Sequence, residues 1–303
     1  MSAPAASPRT RRAAAPARPA VRRPGPRRPR QAAERRVTGW RLTAAVLAAA
    51  IVVFPLYWMA VTALSSPAEL YAQDAALHPR ALHWENFVEP LQRWPFLRWA
   101  ANSLVIAVVS VVLTVVVNLA AGFAFAKLDF PLKNAIFLAI ISTLMVPVQV
   151  IMVAQFQLVV DLGLVNTSAG VVLPRLAEAF GLFLSRQFFA SLPDELLEAA
   201  RVDGAGAWRT FAAIALPLSK PLVAVLVIFT FMWRWNEFAW PLVALQDTER
   251  FTLPIGLLYL QDQYGRDYGD LMAMTLLSIL PMLLVFAVFQ RYFVEGMART
   301  GLK

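Results

Sequence analysis

Apolar runs of about 20 residues or more recur along the whole chain. They constrain it more than any other feature, because a run of that length matches the hydrocarbon thickness of a bilayer. Six spans are expected, at 42–64, 102–126, 135–160, 166–189, 221–245 and 271–293. Pro55 lies inside the first, Pro147 and Gln149 interrupt the third, and Pro281 lies inside the sixth. The fourth is the least apolar and carries Pro174, Arg175 and Glu178. Of the 303 residues only 16% are charged, where a soluble domain of this size carries roughly 25%. The fold class that follows is an all-α, six-span membrane protein, with one membrane domain at 39–303.

The net charge of +9 is unevenly spread. Residues 1–41 hold 12 arginines, seven prolines and one acid, Glu34, while the remainder holds 16 basic and 18 acidic residues. The segment 1–38 therefore reads as a disordered Arg/Pro/Ala-rich tail, held beside anionic lipid in the cytoplasm rather than folded around nucleic acid. Cysteine is absent, which excludes disulfides and thiolate chemistry. His78 and His83 are the only histidines, and they read as loop residues rather than metal ligands. No GxxxxGK[ST] run is present, so no phosphate loop is expected.

Basic residues are retained on the cytoplasmic side of a membrane. With the N-terminus inside, 21 Lys and Arg fall in cytoplasmic pieces and 5 in outer pieces. Both termini are then cytoplasmic, and so is the segment 192–218. The long outer loop 65–100 has Trp residues suited to headgroup-level anchoring. The piece "FTLPIGLLYL" in the next outer loop is too short to span, and reads as interfacial, re-entrant or packed.

The cytoplasmic segment "LPDELLEAARVDGAGAWRTFAAIALPL" interrupts two spans with a short acidic helix, two glycines and a second short helix. Ser191 is expected to cap the first helix, which opens on Pro193 and Asp194. Gly204 and Gly206 stop it. Trp208, Phe211, Ala212 and Ala215 would form the apolar stripe of the second helix. On physical grounds two readings fit: a helix that sits in a groove of a cytoplasmic partner, with Glu198 and Asp203 as acceptors, or an amphipathic linker on the inner membrane face.

The same segment resembles the EAA loop of ABC-importer permeases. The match runs through Glu198, Ala199, Ala200, Gly204, Ile214, Leu216 and Pro217, at the family's spacing. "WNEFAWPL", "FTLPIGL", "QRYFVEGMARTGLK", "ENF" and "NSLVIA" are similar to the sugar-importer subfamily, of the maltose-importer (MalG-like) type. The similarity covers roughly 40–303, and the ending Thr-Gly-Leu-Lys departs from the family's usual Gly-Ala-Val-Lys.

What the resemblance implies is a type I ABC-importer permease fold whose loop 191–218 carries a coupling helix. Glu198, Ala199, Ala200, Asp203, Gly204, Ile214, Leu216 and Pro217 would meet a separate cytoplasmic ATPase dimer. A second permease subunit and an extracellular substrate-binding lipoprotein are also implied. The chain itself would need no cofactor and no catalytic residue. An oligosaccharide is the expected cargo, with a polyol or glycerol phosphate as the alternative.

Charges inside spans mark pathways more often than lipid contacts. Arg234 and Glu237 are spaced i, i+3, as are Arg175 and Glu178, and such pairs can neutralise each other within one helix. Trp233, Glu237 and Trp240 would share one face, with Asn236 beside it. That face offers rings and polar groups to a sugar, and Gln149 is a further pathway candidate. Trp240 also fits an aromatic belt, and Arg234 and Glu237 also fit a purely structural role. An ion-coupled transporter acting alone is the competing class. It would want paired broken helices and internal repeats, and no repeat is visible.

Overall fold

The computed structural model describes residues 30–70, 77–263 and 268–300, and everything described is helical or loop. Helix α1 runs Arg30–Ala63 with Pro55 inside it. It begins within the stretch read as tail, and residues 1–29 of that stretch lie outside the described residues. The chain up to Phe54 forms one unit, on which Trp40, Leu42, Val46 and Val52 are exposed.

The second unit runs from Pro55 onward. After the short α2 (Pro67–Leu70) and α3 (Glu85–Arg93) comes α4 (Phe96–Lys127). With 32 residues, α4 is about 48 Å long, more than a hydrocarbon core requires. The chain continues as α5 (Lys133–Ser142), α6 (Val148–Asp161), α7 (Ser168–Val172), α8 (Ala179–Ala190), α9 (Asp194–Val202), α10 (Ala207–Thr210) and α11 (Leu216–Leu218). It ends with α12 (Lys220–Trp235), α13 (Ala239–Ala244), α14 (Leu253–Gln263) and α15 (Tyr268–Thr300).

Helix α4 is the central element of this unit. It packs along α8 and α12, and α12 packs in turn on α15. The α4–α8 contact depends on Gly122. A Cβ there would lie 2.3 Å from Ser185 Cβ and 2.9 Å from the Arg186 backbone nitrogen. Small residues let helices approach this closely where no hydrophobic effect drives them together.

Among the described residues, three helices are continuous and apolar enough to cross a membrane: Trp40–Ala63, Phe96–Lys127 and Tyr268–Gln290. Three further stretches have the composition of a span but are bent. Lys133–Met145 and Val148–Asp161 meet at 109°, Ser168–Arg175 and Ala179–Ala190 at 46°, and Ala207–Leu218 and Lys220–Trp235 at 79°. The first bend follows from Pro147, which drives Val146 into extended backbone (φ −89°, ψ 119°). The span expected at 135–160, with its interruption at Pro147, and the one expected at 166–189 are both broken helices. The rod expected at 221–245 ends at Trp235 and resumes at Ala239.

The piece containing "FTLPIGLLYL" proves to be packed. Leu253 and Ile255 are buried, and the Leu253 amide donates to Ser103 Oγ at 2.7 Å. Trp99, read as a headgroup anchor, is fully buried, and its indole N–H donates to the Thr248 carbonyl at 2.8 Å. Trp84 stays exposed.

Candidate functional site

Two sites carry the chemistry that the sequence offers. The first joins two helix breaks. Arg175 closes a 3-10 turn (Leu173–Arg175) after α7, and Glu178 lies in extended backbone just before α8. Arg234 is in the last turn of α12, and Glu237 lies in the gap before α13. Arg175 pairs with Glu237 at 3.1 Å, Arg234 pairs with Glu237 at 2.7 Å, and Arg234 also pairs with Glu178. Arg234 donates further to the Arg175 carbonyl at 3.1 Å. All four side chains are at least four-fifths buried, so the two arginines and two carboxylates neutralise each other away from water. Arg175 and Glu178 were expected to pair within one helix. Each instead finds its partner across the break, and only Arg234 and Glu237 also pair locally. The Nε–H groups of both arginines have no acceptor among the described residues, so the cluster keeps donor capacity.

The expected face of Trp233, Glu237 and Trp240 is interrupted, because α12 stops between them. Trp233 is partly exposed and packs edge-on against Phe180, with ring centroids 5.5 Å apart. Trp240 is fully buried and donates to the Val171 carbonyl at 3.2 Å, so it is a core residue rather than a belt residue. Asn236 turns back to the Met232 carbonyl at 2.8 Å and reaches Met282 Sδ at 3.4 Å. Gln149 is exposed in the first turn of α6, and no ion pair or hydrogen bond ties it to the quartet among the described residues.

The second site is the elbow formed by α9, the turn 203–206 and α10. Its first arm is amphipathic. Leu197 and Ala200 are buried in the bundle, while Leu196, Glu198, Ala199 and Val202 face outward. Of the two alanines, only Ala199 is therefore available to a partner. Asp203 caps the arm and Gly204 adopts φ +76°, a left-handed turn that a glycine takes without strain. Val202 and Trp208 are the most exposed large apolar side chains here, at 88% and 71%.

The expected stripe of the second arm is split. Phe211 and Ala215 are buried, whereas Trp208 and Ala212 are exposed. Residues Phe211–Ala215 form a single wide π turn, and Ile214 and Leu216 are half-buried around it. Pro217 and Pro221 follow closely, and each removes an amide that a regular helix would use.

Ser191 does not cap α9. Its hydroxyl donates backward to the Phe188 carbonyl at 2.7 Å, and Pro193 holds the cap position without a side-chain bond. The first turn is held from outside by Lys127, the last residue of α4. Its side chain is 8% exposed, and its ammonium donates to the Leu192 carbonyl at 2.8 Å and to Asp194 Oδ1 at 2.6 Å. Lys127's hydrogen bond, and then its charge, hold the Asp194 carboxyl below the usual range. Sequence reasoning counted Lys127 only toward orientation. The available signal was a lone lysine closing a long apolar helix, where the helix dipole favours a cation. No group of three or more metal-ligating side chains occurs among the described residues.

A bundle of continuous and broken apolar helices, with a polar elbow hung between two of them, defines a membrane permease component. The chain belongs to the family of binding-protein-dependent transport system inner membrane components, which matches residues 118–299. It is 37% identical to the arabinooligosaccharides transport system permease protein AraQ of Halalkalibacterium halodurans, over 84% of this chain and 92% of that one. It is 36% identical to the sn-glycerol-3-phosphate transport system permease protein UgpE of Rhizobium meliloti, over 82% and 92%. Its fold is similar to that of a bacterial ABC transporter involved in import of the acidic polysaccharide alginate. The TM-score is 0.77 at 22% identity, over 86% of this chain and 98% of that chain.

Proposed function

We propose that this chain is one of two permease subunits of an ABC importer that carries an oligosaccharide across the cell membrane. Six spans follow when the bent pairs 133–161 and 168–190 each count as one broken span and α12 with α13 as another, beside the three continuous helices, with the elbow and both termini in the cytoplasm. The 21-to-5 distribution of basic residues supports that orientation. The elbow is the coupling segment, and the observation that carries this is its exposed outer face. Leu196, Val202 and Trp208 are apolar and exposed, lie outside the long apolar helices, and flank the Glu198–Ala199 pair in sequence. An apolar face of this kind marks a protein interface. The occupant is a cytoplasmic ATPase whose closure moves the elbow and turns the bundle between two states. A second permease and an extracellular binding lipoprotein complete the assembly.

The quartet bears on the cargo. Arg175 and Arg234 are each paired with a carboxylate, so the cluster is neutral and offers a phosphate no spare cation. The exposed ring of Trp233 suits a neutral, hydroxyl-rich solute instead. Glycerol phosphate remains the second reading because of the similarity to glycerol-3-phosphate permeases. Broken helices are also what an ion-coupled carrier would use, and the family membership speaks against that class.

The test is photo-crosslinking from Val202 and Trp208 in intact cells, followed by identification of the captured protein. Capture of a nucleotide-binding subunit is expected, and its absence from both positions removes the coupling assignment. Competition of labelled-sugar uptake by arabinooligosaccharides and by glycerol phosphate then separates the two cargoes.

A further inference from the structure

The elbow is joined to the bundle covalently at both ends, and a regular helix runs through neither joint. Upstream, α8 ends at Ala190 and the chain crosses Ser191–Pro193 without a side-chain cap. Downstream, the π turn and a 79° bend separate it from α12. A displacement of α9 would be absorbed at these joints unless something else grips it. Leu197 and Ala200 pack its inner face into the bundle, and the end of α4 adds a further grip. Lys127 holds Leu192 and Asp194 there, and one turn earlier Phe123 packs on Phe211 and Phe189, with centroids 5.3 and 5.7 Å apart.

The two grips differ in kind. The aromatic contact is non-directional and tolerates sliding. The lysine side chain is largely buried, and both acceptors of its ammonium lie on the entry to α9. Pulling the elbow away would break both charge-assisted bonds at once, a penalty felt over a short distance. Beside the burial of Leu197 and Ala200, Lys127 is therefore the directional pin between α9 and α4, and α4 is the helix packed along both α8 and α12.

We propose that Lys127 is the positioning residue that makes the coupling segment and α4 move as one body, so that motion enters the bundle through α4 rather than along the chain. This rests on the assignment of the elbow as the coupling segment.

The experiment uses the complete importer in proteoliposomes and measures solute taken up per ATP hydrolysed. Lys127→Met keeps the length of the side chain and loses both bonds. It is expected to retain the ATPase and hydrolyse ATP, while uptake per ATP falls about tenfold, the size of an ordinary coupling energy. Lys127→Arg, which keeps the charge and the donors, should stay within about twofold of wild type. Asp194→Asn removes the charge at an exposed acceptor where unfolding is not at stake, and should lower the ratio in the same direction by a smaller factor.

The chain has no cysteine, so Lys127→Cys with Asp194→Cys can be bridged by a short thiol-reactive linker. The bridged form should recover coupling, which a merely structural role would not predict. Wild-type uptake per ATP in Lys127→Met overturns the proposal. If that variant fails to assemble, an unchanged ratio in Asp194→Asn, or no recovery on bridging, overturns it. A wild-type complex with no ATPase on the elbow would remove the coupling assignment itself. An ATPase-bound complex in which Lys127→Met couples normally would remove only the role of Lys127.

Discussion

Arg175 and Glu237 meet at 3.1 Å, each from the break of a different helix. A break frees backbone groups that apolar surroundings cannot satisfy, so it persists where the protein itself fills the site. Here the filling is ionic. Arg234 bridges both carboxylates and also takes up the Arg175 carbonyl that the broken helix leaves free.

Glu237→Ala leaves Arg175 buried without its partner and strips Arg234 of one of two. A loss of about 3–5 kcal/mol of stability is expected, as for other broken buried pairs. Replacing both members, Arg175→Met with Glu237→Leu, removes the uncompensated charge and should be milder than the single change. Thermal melts of the purified protein in detergent compare the two. A double variant that is less stable than Glu237→Ala would show that the residues do not act as a neutralising unit.

Gly122 is a steric requirement. A methyl group there meets Ser185 Cβ and the backbone of Ser185 and Arg186, which no change of rotamer relieves. Gly122→Ala should push α8 off α4 and cost about 1–3 kcal/mol. Ser185→Gly in the same chain should restore part of the loss, because one of the obstructing groups is then gone. The melting temperatures of the single and double variants check both statements.

Gly204 is a conformational requirement instead. No atom lies within 4 Å of a Cβ built there, and the penalty comes only from φ +76°. Gly204→Ala should therefore cost about 1 kcal/mol, Gly204→Val more, and Gly204→Asn less. Insertion into the membrane should be unaffected while uptake falls in the order Asn, Ala, Val. Wild-type uptake by Gly204→Val would show that the turn need not be held.

Much of the architecture was legible because its causes are local. Apolar run length gave the spanning regions, Pro147 marked the break in the third, and the spacing from Glu198 to Pro217 marked the elbow. What escaped depends on which helices become neighbours. Arg175 has Glu178 at helical spacing, yet pairs with Glu237, because the chain breaks before the local pair can form. Trp240 looked like an interfacial residue by its position in an apolar run, and it is buried because, beyond the break after Trp235, it packs against α7 and donates to the Val171 carbonyl. Ala199 and Ala200 are indistinguishable by type, and packing against the bundle decides which of them faces outward. Lys127 contacts residues 65 and 67 positions away, beyond anything a local pattern conveys.

The Asp194–Lys127 link makes the anchoring of the elbow depend on pH. Lys127 holds the Asp194 carboxyl below its ordinary value, about 3.9 in an unfolded chain. A depressed carboxylate contributes stability that is fully present above its unfolded value and is lost as pH falls through the folded one. Anchoring should therefore be constant from neutrality down to about pH 4 and weaken only below that. Hydrogen exchange of the amides at 194–203, corrected for intrinsic rates, reads this directly. Protection should hold on the plateau and fall at lower pH in the wild type. In Asp194→Asn it should be lower at neutrality and nearly flat, since no carboxylate remains to titrate. Added salt should change the wild-type plateau little, because the lysine side chain is largely buried even though its partner is not. Equal protection of wild type and Asp194→Asn at neutral pH would mean that the charge adds nothing to the anchor, which would then rest on the bond to the Leu192 carbonyl and on the burial of Leu197 and Ala200.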